Sequence, residues 1–303
     1  MQVSEIYKKI NILKKEKNAV ILAHNYQTLD VQKIADYVGD SFQLSKTAAE
    51  ANADIVLFCG VKFMAETAKL LNPKSKVLLS DGEAGCPMAD MAEAKEVKKF
   101  RENNPNHLIV CYVNSSVEVK ALSDVCVTSS NAVKIVNQLP IEKPILFVPD
   151  QNLGHYIRLK TQRNIELWDG MCPIHHIHLT PQDINRTRLM FPDYAVIVHP
   201  ECTPAVIELA DFVGSTKELA DYTLEHDKVV IGTEVGLIRM LQDKYPEKSV
   251  QALSERAVCQ NMKKTSLVDV LDTLQYELNE ITITENIAVN AIKPIKRMME
   301  MSR

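Results

Sequence analysis

Short apolar runs rich in Val, Ile and Leu alternate along this chain with stretches of helical periodicity. This pattern predicts parallel βα units whose strands are buried on both faces. The runs form matching sets of three. "AVILAHNY" (19–26), "LIVCYVN" (108–114) and "AVIVHPE" (195–201) each end in polar, chemically capable residues. Each is followed by a second cue, "IADYVGDS", "LSDVCVTSS" or "LADFVGST". A third set, "DIVLFCGV", "PILFVPD" and "VVIGTEV", leads into the helical patterns "KFMAETAKLLNP", "NLGHYIRLKTQ" and "GLIRMLQDKYP". The fourth set is "KVLLSDGEAGC", "NIELWDGMC" and "VQALSERAVC".

The sets recur at a near-constant interval. His24 to Tyr112 is 88 residues and Tyr112 to His199 is 87; Ser41 to Ser129 is 88 and Ser129 to Ser215 is 86. A module of this length exceeds the stacked-repeat families and is large enough for a small open sheet. The expected fold is α/β, with three homologous open parallel-sheet domains around a pseudo-threefold axis and the active site at the centre. The boundaries expected are residues 1–85 with 260–303, residues 86–171, and residues 172–259. Val3, Ile6, Ile10 and Leu13 predict an amphipathic N-terminal helix. "TSLVDVLDTLQYELNEI" predicts a helix that packs back on the first module.

Seven cysteines stand at 59, 86, 111, 126, 172, 202 and 259, with no C-x-x-C. Cys86 to Cys172 is 86 residues and Cys172 to Cys259 is 87, so these three occupy one place in the three copies, after the fourth strand. Around a threefold axis they would converge. The other four lie in or beside apolar runs, as small buried hydrophobes do. Converging thiolates suit zinc or an iron–sulfur centre. A [4Fe–4S] cluster normally takes four cysteines, so three would leave one iron open as a Lewis acid. His175 is either a fourth ligand or a substrate contact.

The first strands end in His24, Asn25 and Tyr26, in Tyr112 and Asn114, and in His199 and Glu201. Ligands bind beyond such ends in parallel sheets, and these side chains supply proton donors and acceptors. Ser41, Ser129–Ser130 and Ser215–Thr216 each open a helical pattern. They are expected to cap helices and to offer helix N-termini to carboxylates or phosphate.

Composition narrows the classes. The 303 residues carry 35 Lys plus Arg against 39 Asp plus Glu, a net charge of -4, with no basic surface for nucleic acid and no polybasic tail. No apolar run is long enough to span a bilayer and no signal peptide opens the chain, so a cytoplasmic protein is expected. There is no G-x-G-x-x-G or Walker loop, which argues against a nucleotide cofactor.

Taken in order, "ILAHNYQ", "VGDSFQLS", "GVKFMAETAK", "CPMA", "YVNSSVEVKALSDV", "TSSNA", "PDQNLG", "CPIHH", "VHPECTPAVIELADFVGST", "GTEVGLIRML" and "VCQNMKK" resemble the bacterial quinolinate synthase family of de novo NAD biosynthesis over almost the whole chain. The resemblance implies one oxygen-sensitive [4Fe–4S] cluster held by Cys86, Cys172 and Cys259, its fourth iron open to substrate. It implies condensation of iminoaspartate with dihydroxyacetone phosphate to quinolinate, with loss of phosphate and two waters. It also implies an L-aspartate oxidase as the source of iminoaspartate. Position by position, His24, Ser41, Ser129, His199, Ser215 and Thr216 match residues that bind carboxylates or phosphate. Tyr112 and Asn114 match groups near the reacting carbons, Glu201 an acid/base, Tyr26 a residue of carbonyl and hydroxyl chemistry, and His175 one beside the cluster. Some members carry a C-x-x-C-x-x-C at the third ligand. Only Cys259 stands here, so a disulfide regulating that ligand is not expected. The rival readings are a Cys₃ zinc hydrolase, a non-catalytic iron–sulfur sensor and a cluster-free binding module for small polyanions.

Overall fold

The structure, a computed structural model, describes residues 2–303. Three four-stranded sheets carry the chain, all parallel and all built the same way. The first has β1 (Ala19–His24), β2 (Tyr37–Gly39), β3 (Ile55–Cys59) and β4 (Lys76–Leu79) in the order β2-β1-β3-β4. The second has β5 (Leu108–Tyr112), β6 (Val125–Val127), β7 (Ile145–Val148) and β8 (Ile165–Leu167) in the order β6-β5-β7-β8. The third has β9 (Ala195–Val198), β10 (Phe212–Val213), β11 (Lys228–Gly232) and β12 (Ser249–Ala252) in the order β10-β9-β11-β12.

Helices cover these sheets. The first module holds α1 (Val3–Glu16), α2 (Leu29–Ile34), α3 (Ser41–Glu50) and α4 (Lys62–Leu71). The second holds α5 (Pro87–Asp90), α6 (Ala94–Asn103), α7 (Val117–Ala121), α8 (Ala132–Asn137) and α9 (Gln151–Thr161). The third holds α10 (Pro173–Ile177), α11 (Pro181–Met190), α12 (Pro204–Leu209), α13 (Thr216–Glu225) and α14 (Val235–Lys244). Two more helices, α15 (Leu267–Tyr276) and α16 (Glu285–Met301), follow.

The central strands read as unbroken apolar runs because both faces are covered. Every residue of β3, β5 and β7 is buried. Each fully buried Val, Leu, Ile or Phe there contributes about 1.5–3 kcal/mol of transfer free energy. The N-terminal helix buries Ile6 and Ile10, while Val3 stays exposed in its first turn. The helix α15 packs on α1 and shares a core with Ile6, Ile10, Ile21 and Leu57, as the periodicity predicts. The chain then runs along the edge of β4, where Asn279 accepts from Leu79 N and Ile281 donates to Val77 O. The last helix, α16, lies against α7 and β6 and also touches α4, so it bridges the first two modules.

A repeated polar device fixes the three sheets alike. Asp36, Asp124 and Asp211 precede the second strand of each module. Their carboxylates accept the backbone N–H of Ile21 at 2.8 Å, Ile109 at 2.7 Å and Val196 at 2.7 Å. Each carboxylate also meets a cation from the helix before the first strand: Lys14 at 2.7 Å, Arg101 at 2.6 Å and Arg188 at 3.0 Å. The hydrogen bond contributes about 1.5–3 kcal/mol before partial exposure weakens it. The ion pair adds about 0–1 kcal/mol. Residues 14, 101 and 188 are 87 apart each time, so the repeat extends to the polar scaffold of the fold. Among the described residues, no helix is long and apolar enough to cross a membrane.

Candidate active site

In the order β2-β1-β3-β4 the chain leaves β1 toward one edge and β3 toward the other, so a crevice opens at the carboxyl ends of β1 and β3. The same holds for β5 with β7 and for β9 with β11. These three switch points face one cavity of about 260 Å³. His24 and Tyr26, Tyr112 and Asn114, and His199 and Glu201 line it from the three first strands. Ser41, Ser129, Thr216, His175, Cys86, Cys172 and Cys259 line it as well.

Of the residues singled out in the sequence, Asn25, Ser130 and Ser215 are outside the wall. Ser215 is fully buried as the N-cap of α13, where its hydroxyl accepts from Glu218 N at 3.3 Å. The expected serine capping holds in that module alone. Asp40 caps α3, accepting from Gln43 N at 2.8 Å, which leaves Ser41 at the first helical position. Asn131 opens α8 and turns its side chain back to Thr128 N at 2.7 Å. Asp40 takes the cap in the first module and α8 has no side-chain cap, and Ser41 and Ser129 face the cavity instead.

The two strand-end histidines are held identically. Nδ1 of His24 accepts Tyr26 N–H at 3.1 Å, and Nδ1 of His199 accepts Glu201 N–H at 3.3 Å. A neutral imidazole whose Nδ1 accepts carries its proton on Nε2 and is a donor there. Burial pushes both rings down to about 3, so they stay neutral near pH 7. Asn114 adds a buried Oδ1 with no protein partner, an acceptor left open for a ligand.

Glu201 is 3% exposed and sits at the centre of a polar network. It accepts the Tyr112 hydroxyl at 2.6 Å and meets Nδ1 of His175 at 2.8 Å. Burial alone would push its carboxyl up. The adjoining His175 and His199 rings and the bonds from His175 and Tyr112 outweigh burial and hold it at about 2. Burial and the Glu201 charge push both Tyr26 and Tyr112 well above the usual phenol range. At neutral pH the site therefore holds the Glu201 carboxylate, two protonated phenols and two neutral Nε2–H donors.

The cysteines divide in two. Cys59, Cys111, Cys126 and Cys202 are fully buried, the first three within strands, whereas Cys86, Cys172 and Cys259 are partly accessible from the cavity. Cys86 and Cys172 are the N-caps of α5 and α10, with Pro87 and Pro173 at the first helical position. Backbone N–H groups of Ala89 and Met88 turn toward the Cys86 sulfur. Those of His175 and of Met262 and Asn261 turn toward Cys172 and Cys259. These donors favour thiolates, yet burial pushes all three thiols up, Cys86 to about 12, and their mutual repulsion adds to it for Cys86 and Cys172. Such a set needs a cationic centre to become anionic, so it fits a soft metal group.

Among the described residues, Cys172, His175 and Glu201 also bring three ligand atoms within 4.8 Å of one another, a set that could hold a metal ion.

Residues 8–300 match the family described as quinolinate synthetase A protein. This chain belongs to that family. It is 46% identical to the quinolinate synthase of Caldicellulosiruptor saccharolyticus over 100% of both chains. It is 48% identical to that of Alkaliphilus metalliredigens, over 99% of this chain and 100% of the relative. It is 45% identical to that of Aquifex aeolicus, over 99% of this chain and 95% of the relative.

In this member of the quinolinate synthetase family, the site also uses residues that the sequence reading passed over. Asp150, fully buried as the N-cap of α9, accepts Cys172 N–H at 2.9 Å. Glu234, fully buried as the N-cap of α14, accepts Cys259 N–H at 3.0 Å and pairs with Lys263 at 3.0 Å. Lys263 donates in turn to the carbonyl of Tyr26, tying the third cysteine loop to the first module. The first module has Val61 at the matching N-cap and no carboxylate. A signal existed: "PILFVPD" and "VVIGTEV" both carry an acid just after the third strand.

Proposed function

We propose that the protein is a quinolinate synthase: a condensing enzyme that joins iminoaspartate to dihydroxyacetone phosphate and releases quinolinate, phosphate and two waters. The observation that carries this reading is the meeting of Cys86, Cys172 and Cys259, one from each module, with His24, His199, Tyr26, Tyr112 and Glu201 on one cavity. Cys86, Cys172 and Cys259 would hold a [4Fe–4S] cluster, with the N–H donors around each sulfur in support. Such a cluster, with its fourth iron open, supplies a Lewis acid that makes a hydroxyl a better leaving group.

The protein's own groups do the rest. The Nε2–H groups of His24 and His199 would donate to substrate carboxylates, joined by the hydroxyls of Ser41, Ser129 and Thr216, which suit carboxylate or phosphate oxygens. Asn114 Oδ1 would accept from the amine or hydroxyl near the reacting carbons. Glu201, a carboxylate bonded to Tyr112 and His175, would take a proton from carbon or nitrogen, and Tyr112 would donate to the oxygen that leaves. Tyr26 would handle the carbonyl and hydroxyl steps, and His175 would hold Glu201 in place beside the cluster. Ser215 would act indirectly, by fixing the turn that aims Thr216. Burial of these groups excludes water from the imine and enol stages.

The domain boundaries proposed are 1–85 with 260–303, 86–171 and 172–259. The thiolates and an oxygen-sensitive centre suit the reducing cytoplasm, and an L-aspartate oxidase would supply the labile iminoaspartate. The second reading is a single zinc on Cys172, His175 and Glu201, favoured by the 4.8 Å grouping of their ligand atoms. The test is turnover by anaerobic protein given both substrates. Quinolinate and phosphate formed in equal amounts are expected. Protein that retains its metal yet forms neither product contradicts the proposal.

A further inference from the structure

One hydroxyl behind the cavity wall joins two of its working groups. Thr233 follows β11 and is 1% exposed. Its Oγ1 lies 2.8 Å from the Tyr26 hydroxyl and 2.9 Å from Nε2 of His175. Tyr26 belongs to the first module and His175 to α10, whose N-cap is Cys172, so Thr233 links segments far apart in the chain.

The direction of the bonds follows from Glu201. As a carboxylate it only accepts, so Tyr112 donates to one oxygen and His175 Nδ1–H to the other. In the neutral ring His175 Nε2 is then an acceptor and takes the Thr233 hydroxyl hydrogen. Thr233 oxygen accepts from Tyr26, and the Tyr26 oxygen, 3.1 Å from Thr216, accepts from that hydroxyl. In this arrangement every hydrogen points toward Glu201, with the Cys172 sulfur also 3.2 Å from His175 Nδ1.

The fold does not require a hydroxyl here. The residue before the N-cap of the helix after the third strand is Gly60 in the first module, Pro149 in the second and Thr233 in the third. Two sheets of the same design do without the group.

We infer that Thr233 is a positioning residue for the proposed reaction. It orients the Tyr26 hydroxyl and the His175 ring in one directed chain that ends on Glu201. The role rests on the proposed function for its catalytic consequence, but the hydrogen-bond chain stands on geometry alone.

The test compares Thr233→Val, which keeps shape and removes the hydroxyl, with Thr233→Ser, which keeps the hydroxyl. In anaerobic full-length protein, Thr233→Val should retain iron and sulfide and leave KM within about twofold. Its kcat should fall about 10- to 100-fold, the scale of a misplaced reacting group. Thr233→Ser should recover most of that loss. Wild-type kcat in Thr233→Val, equal losses in both variants, or loss of iron in Thr233→Val would each overturn the inference. Nitrogen NMR of histidine-labelled protein reads the chain without turnover. The His175 ring should carry its proton on Nδ1 in wild type and Thr233→Ser, and should lose that single form in Thr233→Val. An Nε2–H ring in wild type overturns the inference even if the protein makes quinolinate. Failure of wild-type turnover with the NMR result as expected counts against the proposed function and leaves the chain standing.

Discussion

Serine in place of Cys86, Cys172 or Cys259 is expected to remove both the broad visible absorbance of an iron–sulfur centre and all measurable turnover. Serine at Cys59, Cys111, Cys126 or Cys202 is expected to leave both in place. The split follows from position. The first three lie at the cavity, on loops where backbone N–H groups turn toward each sulfur. The other four are fully buried, as packing residues are. Exchange of a buried thiol for a hydroxyl costs stability, about 1–3 kcal/mol where the hydroxyl finds no partner. Cys111 and Cys202 already face the carbonyls of Tyr112 and Gly232, which a serine hydroxyl can use. The check is absorbance, iron and turnover on the seven variants prepared without oxygen. A colourless Cys126→Ser or Cys202→Ser beside a coloured, active Cys86→Ser would refute the ligand assignment.

Glu201→Gln is expected to keep the iron and lower kcat by roughly 10²–10⁴, the usual worth of a positioned acid or base. Glutamine preserves shape but places an NH₂ where the carboxylate accepts from Tyr112 or His175, so one of those bonds must break. It also removes a carboxylate able to take a proton. Because Glu201 is held at about 2, its loss should lower kcat evenly across neutral pH and should not merely shift a titration in that range. Steady-state kinetics with iron counted in the same sample separates the outcomes. An unchanged kcat makes Glu201 a spectator, and loss of iron makes it a support of the metal centre.

Much of this was legible because the chain repeats. The alternation of apolar runs with helices predicts parallel sheets, and the 86- and 87-residue spacing picks Cys86, Cys172 and Cys259 from seven candidates. Strand-end residues were legible because parallel sheets bind at switch points. Other features needed coordinates. Asp150 and Glu234 read as ordinary helix caps, and they are caps; only the structure adds their bonds to Cys172 and Cys259. Thr233 looks like one more residue of an apolar strand. Ser41 and Ser129 were over-read as caps because Asp40, one residue earlier, caps α3, and α8 begins at Asn131 with no side-chain cap at all. The helix α16 was missed because Pro294 reads as a breaker, yet here it is buried inside the helix. The period of Asp36, Asp124 and Asp211 was present in the quoted motifs, but the N–H each accepts lies fifteen residues earlier.

The most direct test of the central claim is a count of iron, acid-labile sulfide and zinc per chain in protein purified without oxygen. Three thiolates around one open cavity predict about four iron and four sulfide per chain, a broad visible absorbance and no zinc. One zinc per chain in a colourless and fully active protein would contradict it.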